Sequence, residues 1–433
     1  MKGQYFWCLL SGLISIVQVV SLRAGPSEDS FGAGSRVQAM GGAGVALSQD
    51  ASSAFYNPAL LTKCPKQTLS LGYQLMRTNL KVQDSKKETL QNKQLGLLQT
   101  ANLGVCLSPF TNFGFGLYAS FPAQLPLRLP SIESLNATPQ FLMYGDNAVF
   151  PSVIVGLAYA PIRQLSFGLA AAISASVAIQ QSMHMPVFAA TVSPQLSPAI
   201  QLIAGVAGEP VEKLRLSFVY RQAGFGRFDV DVDTKAFFRI PGLGNVGDAS
   251  LPFLLGSVLS YSPAQIAFGL SYQPDIFWLI GADVTHYQWS DYTGPFMSAR
   301  AKKNTWGAYP ITFPPEEILS FRDTFVPRLG LECRLNEKVK IRAGYAFHMS
   351  PAPVPSKISN LLDNNVHRVT LGGGYRLVSL TDLTIILDAF VAVDVMLQRS
   401  VKKVINKLTP NQPTDYNFGG TAMSAGLTLK AEY

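Results

Sequence analysis

Two groups of residues have side-chain types and spacings that occur in catalytic or metal-binding sites. His348 and Ser350 stand two positions apart, and a serine nucleophile needs a histidine beside it and a third group that orients the ring. Asp229, Asp231 and Asp233 share one face if their stretch is a strand, and carboxylates are ligands that calcium prefers. A lipase and a calcium site are therefore hypotheses. We expect instead a structural serine and an acidic stretch in the wall of a water-filled lumen.

The elements that must position these residues are extended segments with a period of two. From Leu165 to Ile179 the odd positions are apolar, and the even positions from Ser166 to Gln180 are small or polar. Successive side chains of a strand point to opposite faces, so one face of this segment is apolar. The same alternation recurs from Leu69 to Tyr433, in about fourteen segments within the boundary error of such a prediction.

Composition favours a membrane protein. Charged residues make up 14% of the chain, whereas about 25% is typical of soluble domains. The net charge is +8, but no run of Lys and Arg is longer than a pair, so nucleic-acid binding is not predicted. Residues 1–24 resemble a signal peptide, because Lys2 precedes an apolar stretch, Leu9–Val20, that is too short to span a bilayer as a helix.

Strands that are apolar outside and polar inside are typical of outer-membrane barrels. A strand in a bilayer must have every backbone group paired, which forces the sheet to close. Short connections alternate with long ones, as periplasmic turns alternate with extracellular loops. We therefore predict an all-β fold, a transmembrane antiparallel β-barrel of about fourteen strands over residues 67–433, whose last strand pairs with its first.

The stretch before the barrel, residues 25–66, is dominated by small residues. It contains Gly41-Gly42-Ala43-Gly44 and Asn57-Pro58-Ala59-Leu60. Glycine permits close backbone approach at a cost in chain entropy, so such a segment needs surroundings that hold its shape. We predict a plug wedged inside the lumen.

Several motifs, taken in order, resemble the FadL family of outer-membrane transporters for long-chain fatty acids and other hydrophobic compounds. They are the two plug motifs, Trp289-Ser290, Ser350-Pro351-Ala352-Pro353 and His367-Arg368-Val369-Thr370. The resemblance implies an N-terminal hatch, no enzyme activity and no cofactor or metal. It implies that ligand lands between apolar loops, moves to an internal pocket, and is released when the hatch moves. The implied gating residues are Gly41, Gly42, Gly44, Asn57, Pro58 and Ala59.

Candidate ligand contacts are apolar residues of the hatch and the long loops, together with arginines that face the lumen. They are Phe55, Leu125, Leu127, Leu129, Phe253, Leu254, Arg342 and Arg368. Basic groups could hold a carboxylate, but salt bridges to Asp388 or Asp394 are the simpler expectation for any one arginine. The apolar loops could equally contact one another.

The remaining expectations concern partners and cysteines. Outer-membrane lipids should surround the barrel, and the final strand ending at Tyr433 should be recognised by the barrel-assembly machinery. A surface-exposed adhesive barrel, or a partner in a secretion machine, is the alternative function. With Cys64, Cys106 and Cys333, the sequence permits either one disulfide or none.

Overall fold

The structure is a computed structural model. It describes residues 31–433 except 65–66, 85–95, 124–139, 145–150, 175–180, 186–187, 198, 241–243, 295–297, 302–304, 307–308, 311–318, 355–360, 381 and 403–414. The predicted signal peptide, residues 1–24, lies outside the described residues. Leu125, Leu127 and Leu129 lie outside them as well.

Fourteen strands form a closed antiparallel barrel in which consecutive strands are neighbours. The last strand pairs with the first, with Thr68 opposite Glu432, so the wall has no open edge. The predicted barrel of about fourteen strands and its closure are confirmed. The strands are β1 Thr68–Asp84, β2 Leu97–Phe110, β3 Phe113–Pro122, β4 Ser152–Ile162, β5 Leu165–Ser174, β6 Ala199–Val211, β7 Leu214–Arg221, β8 Ala264–Tyr272, β9 Trp278–Gln288, β10 Thr324–Arg334, β11 Val339–His348, β12 Val366–Ser379, β13 Thr384–Lys402 and β14 Asp415–Glu432.

The two faces of the wall differ as the alternation predicts. On β4, Ile154 and Ala158 are buried, whereas Leu157 between them is 63% exposed. The exposed apolar side chains recur on every strand and form the outer surface, which a bilayer would cover. The small and polar partners point into the lumen. The sequence pattern therefore sets which side chains reach a site inside the barrel.

The connections separate into two ends. Six turns of at most five residues, such as 273–277 between β8 and β9, define the short-turn end. The connections after β1, β3, β5, β7, β9, β11 and β13 are all longer and define the long-loop end. Both Thr68 and Glu432 lie at the short-turn end.

A second sheet of five strands is formed by three of the long connections. Its strands, in spatial order, are Ser298–Ala301, Gly244–Ser262, Gly224–Ile240, Phe188–Ser197 and Gln181–Met185. Smaller pairings join Thr305–Trp306 to Tyr309–Pro310 and Leu361–Leu362 to Gln140–Phe141.

This second sheet corrects two expectations. Asp229, Asp231 and Asp233 lie on Gly224–Ile240, so the prediction that they belong to the lumen wall is wrong. Phe253 and Leu254 lie on a strand of the same sheet and not in an irregular loop. The physical reason is that period two identifies a strand but not the sheet to which it belongs.

Residues 31–64, called the hatch segment below, form no strand. They contain helix α1, Ser35–Gln38, helix α2, Ser53–Tyr56, and a 3₁₀-helix, Pro58–Lys63. Most of their side chains are buried against the inner face of the wall. None of the helices in the described ranges has the length and apolar character needed to cross a membrane.

Candidate ligand route and hatch

Glycines on both surfaces let the hatch segment touch the wall. A Cβ atom at Gly344 on β11 would lie 2.0 Å from the backbone nitrogen of Gly41. A Cβ atom at Gly168 on β5 would lie 2.2 Å from the nitrogen of Ala59. Gly41 and Gly42 have φ angles of +70° and +78°, a region that other residues rarely adopt. The first contact therefore has glycine on both sides, and the second has glycine on the side of the wall.

Asn57 organises the end of the hatch segment. Its side chain is fully buried; Oδ1 accepts a hydrogen bond from the Ala59 nitrogen at 3.0 Å, and Nδ2 donates to the Val45 carbonyl at 3.0 Å. Asn57 is thus the N-cap of the 3₁₀-helix, and Pro58 takes the first helical position, where no N–H is needed. One side chain joins two distant parts of the hatch segment.

Wall side chains hold the hatch backbone by directed bonds. The Thr370 hydroxyl accepts from the Gly41 nitrogen at 2.9 Å and donates to the Ala39 carbonyl at 3.0 Å. Arg221 donates from Nη2 to the Phe55 carbonyl at 2.6 Å, and its guanidinium lies 4.1 Å from the centre of the Phe55 ring. The segment is therefore seated in one orientation.

Tyr56 lies at the centre of the hatch segment, and sequence reasoning missed it. Its hydroxyl accepts hydrogen bonds from the Ala33 nitrogen at 3.0 Å and from Gln38 Nε2 at 2.8 Å. Burial raises the pKa of this hydroxyl to about 12, so it stays neutral at physiological pH. Gly44 leaves room for the ring, because a Cβ atom there would lie 2.4 Å from it.

Arg342 takes part in an ion-pair network that also includes the hatch. It donates to Glu332 Oε2 at 2.7 Å and to Asp388 Oδ1 at 2.6 Å. Arg36 of α1 reaches the same Glu332 oxygen at 3.1 Å. Arg342 therefore forms a salt bridge to Asp388, as the simpler expectation states.

The hatch segment is also linked covalently to the wall. Cys64, at its end, forms a disulfide with Cys106 on β2. Cys333 on β10 is free and half-buried. Sequence alone left this pairing open, because spacing in the chain does not reveal which cysteines meet in a barrel.

An outer cavity lies towards the long-loop end. Its volume is about 80 Å³. Tyr261 and Trp289 belong to one apolar cluster at its margin, and Tyr144 and Val366 belong to another. Val326 of β10 points into it from the wall. This cavity is lined mainly by aromatic and aliphatic side chains.

An inner cavity of about 70 Å³ lies against the hatch segment. Gly41, Gly42 and Phe55 line it from the hatch, and Arg221 and Arg328 line it from the wall. Three further residues line both cavities and therefore lie between them: Tyr287, His348 and Arg368.

Arginines give the inner cavity its polarity. Arg328 donates to the Thr285 hydroxyl and to the Tyr287 hydroxyl, each at 2.8 Å. Arg368 donates to both oxygens of Asp394, at 2.6 and 2.8 Å, as the salt-bridge expectation states. Arg328 is not among the sequence candidates, although its inward position follows from the exposed Phe325 and Leu329 on the same strand.

The lumen wall beside the cavities is unusually apolar near the long-loop end. Met76, Leu80 and Leu98 are buried on the inner faces of β1 and β2, and Met396 and Phe418 are buried on those of β13 and β14. Barrel interiors are usually polar. Together with the outer cavity, these residues make a dry region inside the wall.

The serine–histidine pair considered from the sequence is not assembled, and the side chains of Asp229, Asp231 and Asp233 lie outside the described residues. The His348 Nε2 and Ser350 Oγ atoms are buried and have no hydrogen-bond partner among the described residues, so they do not bond to each other. Within those same residues, no group of three His, Cys, Asp or Glu side chains is suited to hold a metal ion. His348 and Ser350 therefore do not form a catalytic pair in this structure.

Comparisons with known proteins agree with this architecture. Alkane uptake protein A of Marinobacter nauticus is 24% identical over 351 residues, which are 75% of this chain and 74% of that protein. The toluene transporter TodX of Pseudomonas putida has a TM-score of 0.56 at 16% identity, with 95% of this chain and 99% of TodX covered. A FadL homologue from Pseudomonas aeruginosa has a TM-score of 0.54 at 15% identity, with 95% and 98% covered. No protein-family model matches the sequence.

The structural likeness covers nearly the whole chain and shows the fold. The sequence match to the alkane uptake protein covers three quarters of the chain independently of the coordinates. The resemblance to the FadL family inferred from the motifs is thereby confirmed.

Proposed function

We propose that the protein is an outer-membrane channel for the uptake of long hydrophobic molecules, with long-chain fatty acids as its substrate class. The observation that carries this proposal is the pair of cavities that share Tyr287, His348 and Arg368 in their linings. They run from aromatic residues below the long loops to the hatch segment. The names of the relatives, an alkane uptake protein and a toluene transporter, support a hydrophobic cargo.

The apolar lumen gives this route a physical purpose. An acyl chain is poorly solvated by water, so a path lined by Met76, Leu98 and Phe418 lowers the free energy of the chain inside the barrel. A general porin needs the opposite, a wet and polar lumen. The buried apolar residues therefore favour a hydrophobic cargo over small polar solutes.

The arrangement described here is closed. Ligand pockets usually measure about 300 to 1,000 Å³. The two cavities measure about 80 and 70 Å³, so a long chain requires the hatch segment or the loops to move. We propose that Gly41, Gly42 and Gly44, together with the Asn57-Pro58-Ala59 turn, set the closed position of the hatch and that its movement releases cargo.

The inner cavity favours a ligand with an anionic head group. Arg221, Arg328 and Arg368 line it, and guanidinium groups pair strongly with carboxylates. Gln265 also lines it, is 8% exposed, and has no partner for its Nε2 donor among the described residues. We propose that Phe55 contacts the chain beside the carboxylate and that Arg342 acts indirectly, through the Glu332 network.

A hydrocarbon cargo is the second candidate. Arg368 is already paired with Asp394, and Arg328 lies 3.4 Å from Asp283, so much of the positive charge is neutralised. A ligand without a head group would leave these pairs intact. Uptake of oleate and of hexadecane, compared in the same cells, separates the two candidates.

A matched pair of variants tests the route itself. Val326 points into the outer cavity, whereas Val284 on the neighbouring strand is 38% exposed on the outer surface. Val326→Trp should reduce oleate uptake at least about tenfold, because the indole would fill a cavity of about 80 Å³. Val284→Trp should leave uptake unchanged.

Normal uptake by Val326→Trp would remove the cavities from the transport path. Mass spectrometry of lipids extracted from the purified barrel provides a separate check. Absence of both uptake and bound hydrophobic molecules would favour an adhesive barrel or a secretion partner. In either case we propose that outer-membrane lipids contact the apolar outer face, and that the assembly machinery recognises the strand ending at Tyr433.

A further inference from the structure

The outer wall has an apolar groove that the uptake route does not use. It crosses β12, β13, β14 and β1 and has a volume of about 500 Å³. Its floor is formed by small outward-facing residues, Gly373, Ala389 and Ala425, and Gly373 lies directly opposite Ala389. Larger side chains form its sides: Tyr73, Leu75, Leu371, Val391 and Leu427.

Strand register places two basic residues above this groove. Leu75 lies opposite Ala425 at the level of the groove. Arg77, opposite Met423, is the next outward-facing position of β1 towards the long-loop end, about 7 Å further along the strand. Lys81 is two outward-facing positions beyond Arg77. Both basic side chains are exposed.

Among the described residues, no acidic side chain pairs with these charges. Neither Arg77 nor Lys81 forms an ion pair with any residue that the structure describes. Of the acidic side chains on β12 to β14 that take part in ion pairs, Asp388 and Asp394 point into the lumen, and Glu432 lies at the opposite, short-turn end. The described part of the outer surface therefore combines an apolar groove with two exposed positive charges at one end.

We propose that this surface binds a phosphorylated lipid from the leaflet at the long-loop end. One acyl chain fills the groove between Leu371 and Tyr73, and the phosphate contacts Arg77 and Lys81. Guanidinium groups bind phosphate by paired hydrogen bonds, and the small residues on the floor let a chain lie close to the backbone. The groove opens on the outer face, away from the uptake route, and only Gly372, Phe390 and Gly426 of its lining occupy inward-facing positions.

The test uses the full chain in phosphatidylcholine nanodiscs, with bisphosphorylated lipid A as the probe. Bound lipid A is counted by native mass spectrometry over a range of lipid A fractions. The double variant R77E/K81E should bind lipid A at least about tenfold more weakly, since each basic residue near an anionic surface contributes to binding. The charge-conserving variant R77K/K81R should retain most of the binding.

A second pair of variants tests the groove separately. Ala425→Leu fills its floor and should weaken lipid A binding several-fold. Ala171→Leu makes the same change on the outer face of β5, across the barrel from β12, and should have no effect. Heat-modifiable migration on gels reports that each variant is a folded barrel.

Three results would each overturn the proposal. One is binding by R77E/K81E that equals that of the unmodified protein. Another is equal affinity for lipid A from which both phosphates have been removed. The third is an equal effect of Ala425→Leu and Ala171→Leu. Normal oleate uptake by R77E/K81E is expected, because the lipid site lies outside the route.

Discussion

Replacing Asn57 with alanine should loosen the hatch segment while leaving the barrel folded. The side chain is fully buried and bonds only to backbone groups: the Ala59 nitrogen, the Val45 carbonyl and, at 3.5 Å, the Val206 carbonyl of β6. Alanine removes these partners without adding volume. The strand ladder of the wall does not depend on them.

The magnitude follows from the bonds that are lost. Loss of a side-chain N-cap typically costs about 1 kcal/mol. A buried carbonyl left without its donor costs about 1 to 3 kcal/mol. The closed hatch should therefore be destabilised by about 2 to 4 kcal/mol, which raises the population of open states about thirtyfold to several hundredfold.

Hydrogen exchange measured by mass spectrometry can follow this change segment by segment. In Asn57→Ala, amides of residues 39–46 and 57–64 should exchange faster, whereas those of β9 and β10 should keep their rates. Asn336→Ala is the matched control. Asn336 accepts bonds from the Lys338 and Val339 nitrogens, but it lies in the turn between β10 and β11, away from the hatch.

Two results would refute the reasoning. Exchange within about twofold of the unmodified protein at residues 57–64 would show that Asn57 does not stabilise the closed hatch. Equal acceleration in the hatch and in all barrel strands would show that Asn57 stabilises the whole fold. Single-channel conductance in planar bilayers gives an independent readout, because a loosened hatch should produce more frequent openings.

Two further predictions concern the contact between hatch and wall. Gly344→Ala places a Cβ atom 2.0 Å from the Gly41 nitrogen, so it should displace the hatch and increase channel openings, whereas Gly208→Ala, with nothing within 4 Å, should not. Equal conductance of the two variants would contradict the proposed contact. The double variant Cys64→Ser/Cys106→Ser removes a cross-link between positions 42 residues apart and should lower the free energy of unfolding by up to about 4 kcal/mol. Urea unfolding with and without reductant measures this, and an unchanged midpoint would be inconsistent with a stabilising disulfide.

Much of the wall could be predicted because its pattern is local. Each outward position must be apolar in a bilayer and each inward position need not be, so alternation along β4 or β5 is visible in the sequence itself. Closure follows from the need to pair every backbone group. The inward direction of Arg342 and Arg368 follows from the same alternation, whereas their pairing with Asp388 and Asp394 depends on strand register.

The second sheet shows where this pattern stops being informative. Asp229 alternates with valines just as an inward wall residue would, yet its strand pairs with Phe188–Ser197 outside the barrel. Local alternation reports the presence of a strand, whereas sheet membership depends on where the chain leaves the membrane. The residues of a strand do not by themselves show where the chain leaves the membrane.

The sequence alone determined the fold class, the two faces of each strand and the unusual small-residue segment before the barrel. Only the tertiary structure decided which distant residues meet. It pairs Cys64 with Cys106, brings Tyr56 and Arg328 to one cavity, and sets Arg77 one row above the outer groove. These arrangements depend on strand register and barrel closure, which join residues hundreds of positions apart and leave no periodic signal in the chain.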